Sequence, residues 1–247
     1  MLWKDAAISP TAMRPWSDRP ILDCLEPLVP LPSGLMRLQP HPYVAAGAPY
    51  GRDGDPFRLR KAVVQRLLQA QQWIQEGDPD LQLAIFDAWR PLEVQAFMVD
   101  HAIQDEVNRR GIDRSDVNEM AAVQDLVGRF WAPPSDDPST PPPHSTGAAV
   151  DLTLASRRTQ QPLDMGGAID ALSDISEPDH YLDAPEGSQQ DLWHQRRCLL
   201  RRGMAAAGFA QHPHEWWHFS FGDQLWAWRT GVDEAIYAAV SSSSLTA

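Results

Sequence analysis

The sequence HSTGAAVDLTL, residues 144–154, places a histidine before a glycine turn and an aspartate inside an apolar strand. The strand is predicted to run from Ala149 to Leu154. A carboxylate such as Asp151 is costly to bury there without a partner, and a bound cation is one solution. Gly147 allows the backbone to turn sharply between His144 and the strand. Standing alone, the pair would favour a surface histidine and a salt-bridged aspartate.

A second motif, EWWH at residues 215–218, adds another imidazole and another carboxylate. With His144 and Asp151, His218 would make three protein ligands and leave one open position, which is typical of catalytic rather than structural zinc. Residues three apart in a regular strand point to opposite faces, so Glu215 and His218 share a site only if the chain bends between them. We therefore expect Glu215 at the entrance to the strand.

Two neighbouring histidines leave the identity of the third ligand open. His212 and His214 are close to His218 in the sequence. We choose His218 because Trp217 and Phe219 flank it in a predicted strand. The alternative is an aromatic core strand in which the glutamate and the histidine occur by chance.

Composition restricts the class of protein. The chain has 247 residues, enough for one large domain or two small ones. Hydrophobic residues make up 43% and charged residues 22%, as in ordinary globular proteins. The net charge of −12 argues against a nucleic-acid partner, because a phosphate-binding surface requires clustered lysine and arginine. The arginine pairs at 196–197 and 201–202 are predicted to lie on a solvated helix face.

Neither a secretory leader nor a membrane span is expected from the sequence. Residues 1–5 lack the long apolar stretch of a secretory signal, and no segment is long enough to span a bilayer. Cys24 and Cys198 are the only cysteines, so neither a disulfide framework nor a thiolate metal site is expected. We predict a cytoplasmic protein with reduced cysteines and no membrane partner, although a removed signal peptide would leave the same sequence.

The first half of the chain predicts an extended start followed by mixed elements. Residues 1–40 are rich in proline and are expected to wrap the core as extended chain. Apolar residues recur at helical spacing from Phe57 to Glu76, and Gly77 ends that helix. Residues 81–86 alternate as a half-buried strand.

Two further helices and a loop are predicted before the first motif. Pro91 stands at the first position of a helix that continues to Arg110 and stops at Gly111. Ser115 is expected to cap another helix, which runs to about residue 130. Residues 132–143 are too rich in proline for regular structure and are interpreted as a loop at the rim of the site.

The last third completes the prediction of fold class. Ser188 is expected to cap a helix to about Ala207, with Gly208 as its stop. Residues 217–221 form the last strand, and 241–247 a flexible tail. Helices and strands mix without regular alternation, which favours an α+β fold with a small, mainly antiparallel sheet flanked by helices, in one domain spanning 1–247.

Five short elements resemble one enzyme family. HSTGAAVDLTL and EWWHFSF resemble motifs of the zinc D-alanyl-D-alanine dipeptidases of the VanX type, which are related to the zinc D,D-carboxypeptidases and the hedgehog signalling domain. FDAWRP at 86–91 resembles the family's D-x-Y/W-R-P element, and DMG at 164–166 with Asp170 resembles its M-G-x-x-F-D element. Tyr43, before Tyr50, resembles its substrate-facing tyrosine region. The likeness spans roughly residues 43–221.

The resemblance implies a hedgehog-like or D,D-peptidase-like fold and one Zn²⁺ per chain. It implies that His144, Asp151 and His218 are the zinc ligands and that Glu215 is the catalytic base. Arg90 would stabilise the transition state. Asp170 and Tyr43 would bind the amino group of the substrate.

The residues by themselves leave two of these roles open. Arg90 could instead form a structural salt bridge with Asp87 or Glu93. Asp170 could be a solvated aspartate in an acidic loop.

The sequence also departs from the family pattern. Pro142 stands where the family usually has a serine able to hydrogen-bond the substrate, and proline offers neither a hydroxyl nor an N–H. Ile169 replaces a phenylalanine, and Ala48 lies where an asparagine is usual. These changes affect substrate preference rather than the zinc chemistry.

The resemblance implies hydrolysis of D-alanyl-D-alanine or similar short D,D-dipeptides by a zinc-bound water that Glu215 activates. The expected partner is this small dipeptide, and no oligomeric state is predicted. One alternative is a D,D-carboxypeptidase or endopeptidase that acts on longer cell-wall peptides. Another is a zinc-holding binding module without turnover, which the presence of both Glu215 and Arg90 disfavours.

Overall fold

The structure, a computed structural model, describes residues 14–51 and 55–242. The first thirteen residues, which include the start of the expected extended segment, and the tail from residue 243 lie outside the described residues. Within the described residues, no helix combines the length and the apolar character that a membrane crossing requires.

Seven strands and six α-helices make up the fold of the described residues. The strands are β1 Leu28–Pro30, β2 Met36–Arg37, β3 Arg58–Arg60, β4 Leu81–Asp87, β5 Ala149–Ser156, β6 Ala210–Gln211 and β7 His218–Ser220. The helices are α1 Pro42–Ala45, α2 Lys61–Gly77, α3 Leu92–Arg110, α4 Val117–Phe130, α5 Gln189–Ala206 and α6 Gln224–Thr230.

A five-stranded sheet in the order β2-β4-β5-β7-β6 forms the centre of the fold. Its pairs are antiparallel except for β2 with β4. β1 and β3 form a separate antiparallel pair. The predicted α+β class with a small, mainly antiparallel sheet flanked by helices is confirmed.

The central strand β5 has a different environment on each of its two faces. Val150, Leu152 and Leu154 belong to the main hydrophobic cluster, which also includes residues of α2 and α5. Because successive side chains of a strand point to opposite faces, Asp151 and Thr153 lie on the other face. All eight residues of β5 are nevertheless buried, so the carboxylate of Asp151 has left bulk water.

A second hydrophobic cluster joins α3 and α4 to the segment around α1. It includes Tyr43 of α1, Val94 of α3 and Val127 of α4, together with Tyr50 and Trp131. Burial of these apolar side chains is favourable at about 25 cal/mol per Å². The packing therefore holds the chain around Tyr43 against the region where α3 begins.

The predicted helix of residues 57–76 begins later than expected. Residues Arg58–Arg60 are strand β3, and the helix starts at Lys61 and ends at Gly77. β3 pairs with β1, with Leu28 opposite Arg60. These hydrogen bonds to a distant segment override the local helical pattern, which a sequence window cannot register.

Two predicted helix starts shift by one residue. Pro91 occupies the cap position of α3 rather than the first helical position. Asp116 instead of Ser115 caps α4, and its carboxylate accepts hydrogen bonds from two backbone N–H groups. The predicted stop of α3 at Gly111 is confirmed, since Gly111 has a left-handed φ of 66°. Ser188 caps α5 as predicted.

The expectation of a half-buried strand at 81–86 is wrong. Every residue of β4 except Phe86 is buried, and the strand extends to Asp87. The strand lies between β2 and β5, and α2 packs against it. Leu83 and Ile85 belong to the main hydrophobic cluster, and Phe86, on the other face, packs against the second cluster. Residues 132–142 contain no helix or strand, as predicted, and Pro143 already begins a short 3-10 helix.

Candidate active site

His144, Asp151 and His218 form a compact cluster of possible metal ligands. Nε2 of His144 lies 3.1 Å from Oδ2 of Asp151 and 3.2 Å from Nδ1 of His218. Oδ1 of Asp151 lies 3.0 Å from the same Nδ1 atom of His218. Tetrahedral zinc with bonds of about 2.0–2.1 Å separates its ligand atoms by about 3.3 Å. The spacing of these donor atoms therefore fits a zinc ion.

The carboxylate of Asp151 supplies a second observation in favour of a cation. Its buried Oδ1 atom, although 3.0 Å from Nδ1 of His218, receives no hydrogen bond of good geometry among the described residues. Burial opposes ionisation of Asp151, but His144 and His218 outweigh it and hold the pKa of this carboxyl below its usual range. A buried carboxylate oxygen that lacks a hydrogen bond is destabilising, and a bound metal ion would remove this cost.

Local structure explains how His144 is oriented. It lies in a short 3-10 helix, Pro143–Thr146, that ends at Gly147 with φ 69°. Its Nδ1–H donates to the carbonyl oxygen of Ala88 at 2.7 Å. This hydrogen bond leaves the lone pair of Nε2 directed toward the cluster, as is usual for metal-binding histidines.

Sheet register brings the other two ligands together. Asp151 of β5 is directly opposite His218 of β7. Nε2 of His218 is hydrogen-bonded to Ser220 Oγ at 3.3 Å, which leaves Nδ1 for the cluster. The two neighbouring histidines have other surroundings: His214 pairs with Glu177 at the surface, and His212 lies outside the cluster of ligand atoms. His218, which the sequence predicts as the third ligand, is the histidine that joins His144 and Asp151 in this cluster.

Glu215 lies in the turn immediately before β7, where the chain bends as expected. Its Oε2 atom is 3.6 Å from Nδ1 of His218, and its side chain is buried. Burial raises the pKa of Glu215 to about 8, and the negative charge of Asp151 adds to the shift. The arrangement places a group that can exchange protons beside the metal-ligand cluster without making it a ligand.

Arg90 contacts both the cluster and a buried carboxylate. Its Nη2 atom lies 3.5 Å from Oδ2 of Asp151 and 2.7 Å from Oδ2 of Asp87. Its Nη1 atom donates to Gln95 Oε1 at 2.9 Å. Of the two salt bridges considered from the sequence, the one with Asp87 is present, and the guanidinium still faces the cluster.

Tyr43 and Asp170 meet although 127 residues separate them. The hydroxyl of Tyr43 donates to Oδ2 of Asp170 at 2.7 Å and accepts from Nη2 of Arg90 at 3.2 Å. Burial raises the pKa of Asp170 to about 7, and the nearby charge of Asp151 also raises it. Asp170 is half-buried and lines the same cleft as the three candidate ligands.

Asp87 and His41 are site residues that the sequence reasoning did not identify. Asp87 is fully buried, and its Oδ1 accepts from Nε2 of His41 at 3.1 Å and from the Tyr50 hydroxyl at 3.3 Å. Nδ1 of His41 accepts from the backbone N–H of Tyr43, which caps α1. An acid at the end of an apolar strand was an available signal for Asp87. No sequence pattern pointed to His41, because its role depends on Asp87, which is 46 residues away.

The three residues that depart from the family pattern lie in different parts of the structure. Pro142 precedes the 3-10 helix, and its carbonyl accepts hydrogen bonds from the backbone and hydroxyl of Ser145. Ile169 packs against the main hydrophobic cluster, and Ala48 packs against the second one. Pro142 thus offers a substrate no hydrogen-bond donor, and its carbonyl acceptor is already hydrogen-bonded to Ser145.

Known proteins are similar to this chain over most of its length. Residues 37–240 match the profile of the peptidase M15 family, described as D-ala-D-ala dipeptidase. A D-alanyl-D-alanine dipeptidase of Synechocystis sp. is 44% identical over 228 residues, which cover 89% of this chain and 91% of that relative. One of Escherichia coli is 32% identical over 139 residues, which cover 56% of this chain and 54% of the relative.

A solved structure of a VanY D,D-pentapeptidase in complex with Zn(II) is also similar. It aligns with 94% of this chain and 99% of its own, at a TM-score of 0.45 and 13% identity.

Proposed function

The chain belongs to the D-ala-D-ala dipeptidase family, and we propose that it hydrolyses D-alanyl-D-alanine to two molecules of D-alanine. One Zn²⁺ per chain would be held by His144, Asp151 and His218. The observation that carries the proposal is the position of Glu215, whose carboxylate lies 3.6 Å from a candidate ligand atom in the same cleft. A binding module has no need of a buried carboxylate at that place.

Glu215 would serve as the general base and then as the general acid. When bound, Zn²⁺ acts as a Lewis acid that lowers the pKa of water to about 7 and polarises the peptide carbonyl. The carboxylate of Glu215 takes one proton from the attacking water as its oxygen bonds to the carbonyl carbon. Glu215 then gives that proton to the amine nitrogen as the carbon–nitrogen bond breaks.

Arg90 would stabilise the charge that develops on the carbonyl oxygen. Asp87 and Gln95 hold the guanidinium in place through the hydrogen bonds described above. A group fixed in this way requires no reorganisation during the reaction. By analogy with removing one oxyanion-hole donor, its contribution should be about 2.7–4 kcal/mol.

Tyr43 and Asp170 would receive the free amino group of the substrate. A carboxylate in a closed cleft pairs well with an ammonium group and is left unpaired by an acylated amine. The hydrogen bond from Tyr43 orients Asp170 for this contact. The pair therefore supports a dipeptidase over an enzyme that cleaves longer wall peptides.

The test compares D-Ala-D-Ala with its N-acetylated analogue on zinc-loaded protein. We expect release of D-alanine from the free dipeptide and a value of kcat/KM at least about a hundredfold lower for the acetylated compound, because a charged pairing is lost. A chelator should abolish turnover, and added Zn²⁺ should restore it.

Two outcomes would favour the alternatives. Equal cleavage of both compounds would favour a carboxypeptidase that accepts longer peptides. Failure to cleave any member of a panel of D,D- and L,D-dipeptides, at stoichiometric zinc, would favour a binding module without turnover.

A cytoplasmic location is also part of the proposal. Cys24 is exposed, Cys198 is half-buried, and both are free thiols, which suits a reducing compartment. Fractionation of cells that express the full-length protein would check this placement.

A further inference from the structure

Arg14 belongs to the N-terminal segment and reaches the candidate active site. It lines the same cleft as His144, Asp151, His218 and Glu215. The family match begins only at residue 37. Arg14 therefore lies outside the matched stretch, in the N-terminal segment of this chain.

Among the described residues, the guanidinium of Arg14 makes weak contacts for a positively charged group. Within residues 14–51 and 55–242, its hydrogen bond is to the carbonyl of Gly128, with Nη2 and the oxygen 3.4 Å apart. Its guanidinium carbon also lies 5.6 Å from the ring centroid of Trp16. Burial lowers the pKa of Arg14, and the charge of Glu215 opposes that shift. A cation in this position is favourably placed to receive an anionic group of a ligand.

The segment that carries Arg14 packs against the cleft through His212. Trp16, close to Arg14 in the sequence, packs edge-on against His212, with ring centroids 5.3 Å apart. The ring of His212 in turn packs against His218 at 5.4 Å. This chain of aromatic contacts holds the segment that carries Arg14 against the cleft.

Asp170 is connected to the cluster through different residues. It accepts a hydrogen bond from Tyr43, which accepts one from Arg90, and Arg90 lies 3.5 Å from Asp151. The cleft is thus lined by an anionic group, Asp170, connected through Tyr43 and Arg90 to Asp151, and by a cationic group, Arg14, on a segment packed against His212. The two groups are held by separate sets of contacts.

A free dipeptide carries the matching pair of charges. Its ammonium group and its carboxylate are on the two residues that flank the scissile bond. If the ammonium pairs with Asp170, Arg14 supplies a cation for the other end. A guanidinium can hold a carboxylate through two parallel hydrogen bonds, which fixes the orientation of the bound group.

Building on the proposed dipeptidase function, we propose that Arg14 binds the C-terminal carboxylate of the substrate. The site then selects peptides that are free at both ends, with Asp170 reading the amine and Arg14 reading the carboxylate. Arg14 is a specificity-determining residue and takes no part in the proton transfers of Glu215.

The test compares D-Ala-D-Ala with its C-terminal amide, D-Ala-D-alaninamide, on the zinc-loaded full-length protein. Arg14→Ala should lower kcat/KM for the free acid by about tenfold to a hundredfold, mainly through KM, because a charge-assisted hydrogen bond is lost. The same variant should change kcat/KM for the amide by less than about twofold. Arg14→Lys, which keeps the charge but not the fork, should lose less than Arg14→Ala.

Arg19→Ala is the matched control, because Arg19 belongs to the same N-terminal segment and does not line the cleft. It should leave both substrates unaffected. The inference is overturned if Arg14→Ala lowers activity equally on the acid and the amide, since Arg14 would then act through Glu215 or through folding. It is also overturned if the wild-type protein does not prefer the acid.

A binding measurement separates this inference from the proposed function. In the Glu215→Gln variant, where turnover should be suppressed, the Kd of D-Ala-D-Ala can be measured with and without Arg14→Ala by calorimetry. If the wild-type protein binds but does not cleave the dipeptide, the proposed function fails, and a weaker Kd specific to the free acid still supports the role of Arg14. Equal Kd values in the two proteins would overturn that role.

Discussion

Asp151 and Glu215 are two buried carboxylates that approach the same nitrogen atom of His218, yet their pKa values move in opposite directions. Burial favours the neutral acid in both. Asp151 lies between two imidazoles, which reverse the effect and keep it ionised. Glu215 faces the charge of Asp151, which adds to the effect of burial. At the scale of single residues, the surroundings of each carboxylate make Asp151 suited to bind a metal ion and Glu215 suited to exchange protons.

Replacing Glu215 by glutamine should remove turnover and leave metal binding intact. The amide is almost the same size as the carboxylate but cannot accept the proton of the attacking water. We expect kcat to fall by about 10²–10⁴-fold, the usual contribution of a general base. Zinc content, measured by elemental analysis, should stay at one ion per chain.

His214→Gln provides the control for this region, because His214 is exposed and pairs with Glu177 at the surface. It should retain both zinc and activity. Full activity in Glu215→Gln would show that another group accepts the proton.

At the scale of elements, the short 3-10 helix and the β5–β7 register assemble the ligand set. Gly147 ends the 3-10 helix with φ 69°, a conformation that other residues rarely adopt. A Cβ atom on Gly147 would overlap with Cδ2 of Leu28 in β1. The turn that orients His144 therefore depends both on backbone conformation and on close packing with a strand far away in sequence.

Substituting Gly147 by alanine should destabilise the protein and weaken zinc binding. The left-handed backbone costs about 1–2 kcal/mol with a side chain, and displacement of Leu28 should add about 1 kcal/mol or more. The free energy of unfolding, from urea denaturation of the metal-free protein, and the zinc Kd measure the two effects.

Gly111→Ala is matched to this variant, because Gly111 has φ 66° and a Cβ added there would have no contact within 4 Å beyond its own helix and chain neighbours. It should show the backbone cost alone and leave the zinc Kd unchanged. Equal stability losses at the two glycines would contradict the packing argument.

At the scale of the whole molecule, the site lies where separately packed parts of the fold meet. The main hydrophobic cluster supports β5 and the chain around Trp217, while the second cluster supports Tyr43 and Trp131. Arg90 packs against the rings of Tyr43 and Trp131, at 4.8 Å and 5.0 Å from their centroids, and contacts Asp151 on the sheet. A metal ion bound at this junction should therefore stabilise the entire fold.

Removing zinc should lower the thermal stability of the full-length protein. A ligand that binds only the folded state adds about 2.7 kcal/mol of stability at a hundred times its Kd. For a chain of this size, that corresponds to about 5–10 °C in Tm. Scanning calorimetry with and without a chelator would measure the shift.

The ligand variant His144→Ala should abolish this zinc-dependent shift, and His214→Gln should preserve it. A zinc-dependent shift that survives in His144→Ala would place the ion elsewhere.

Much of the fold could be predicted from local pattern. The helical spacing from Val63 onward, the stop at Gly111 and the cap at Ser188 depend on neighbouring residues, and they appear as predicted. The start of α2 was placed too early because the strand pairing of Arg58–Arg60 depends on β1.

The chemistry of the site follows from the sequence itself. The types and spacing of His144, Asp151, Glu215 and His218 predicted a zinc site with an adjacent base, since ligand chemistry is a property of side chains. Tertiary structure alone decided which groups surround them. His41 and Arg14 have partners far away in the chain, at Asp87 and Gly128, and only folding brings such pairs within a few ångströms. Contacts of that kind leave no trace in a local pattern, because their energy depends on distance in space.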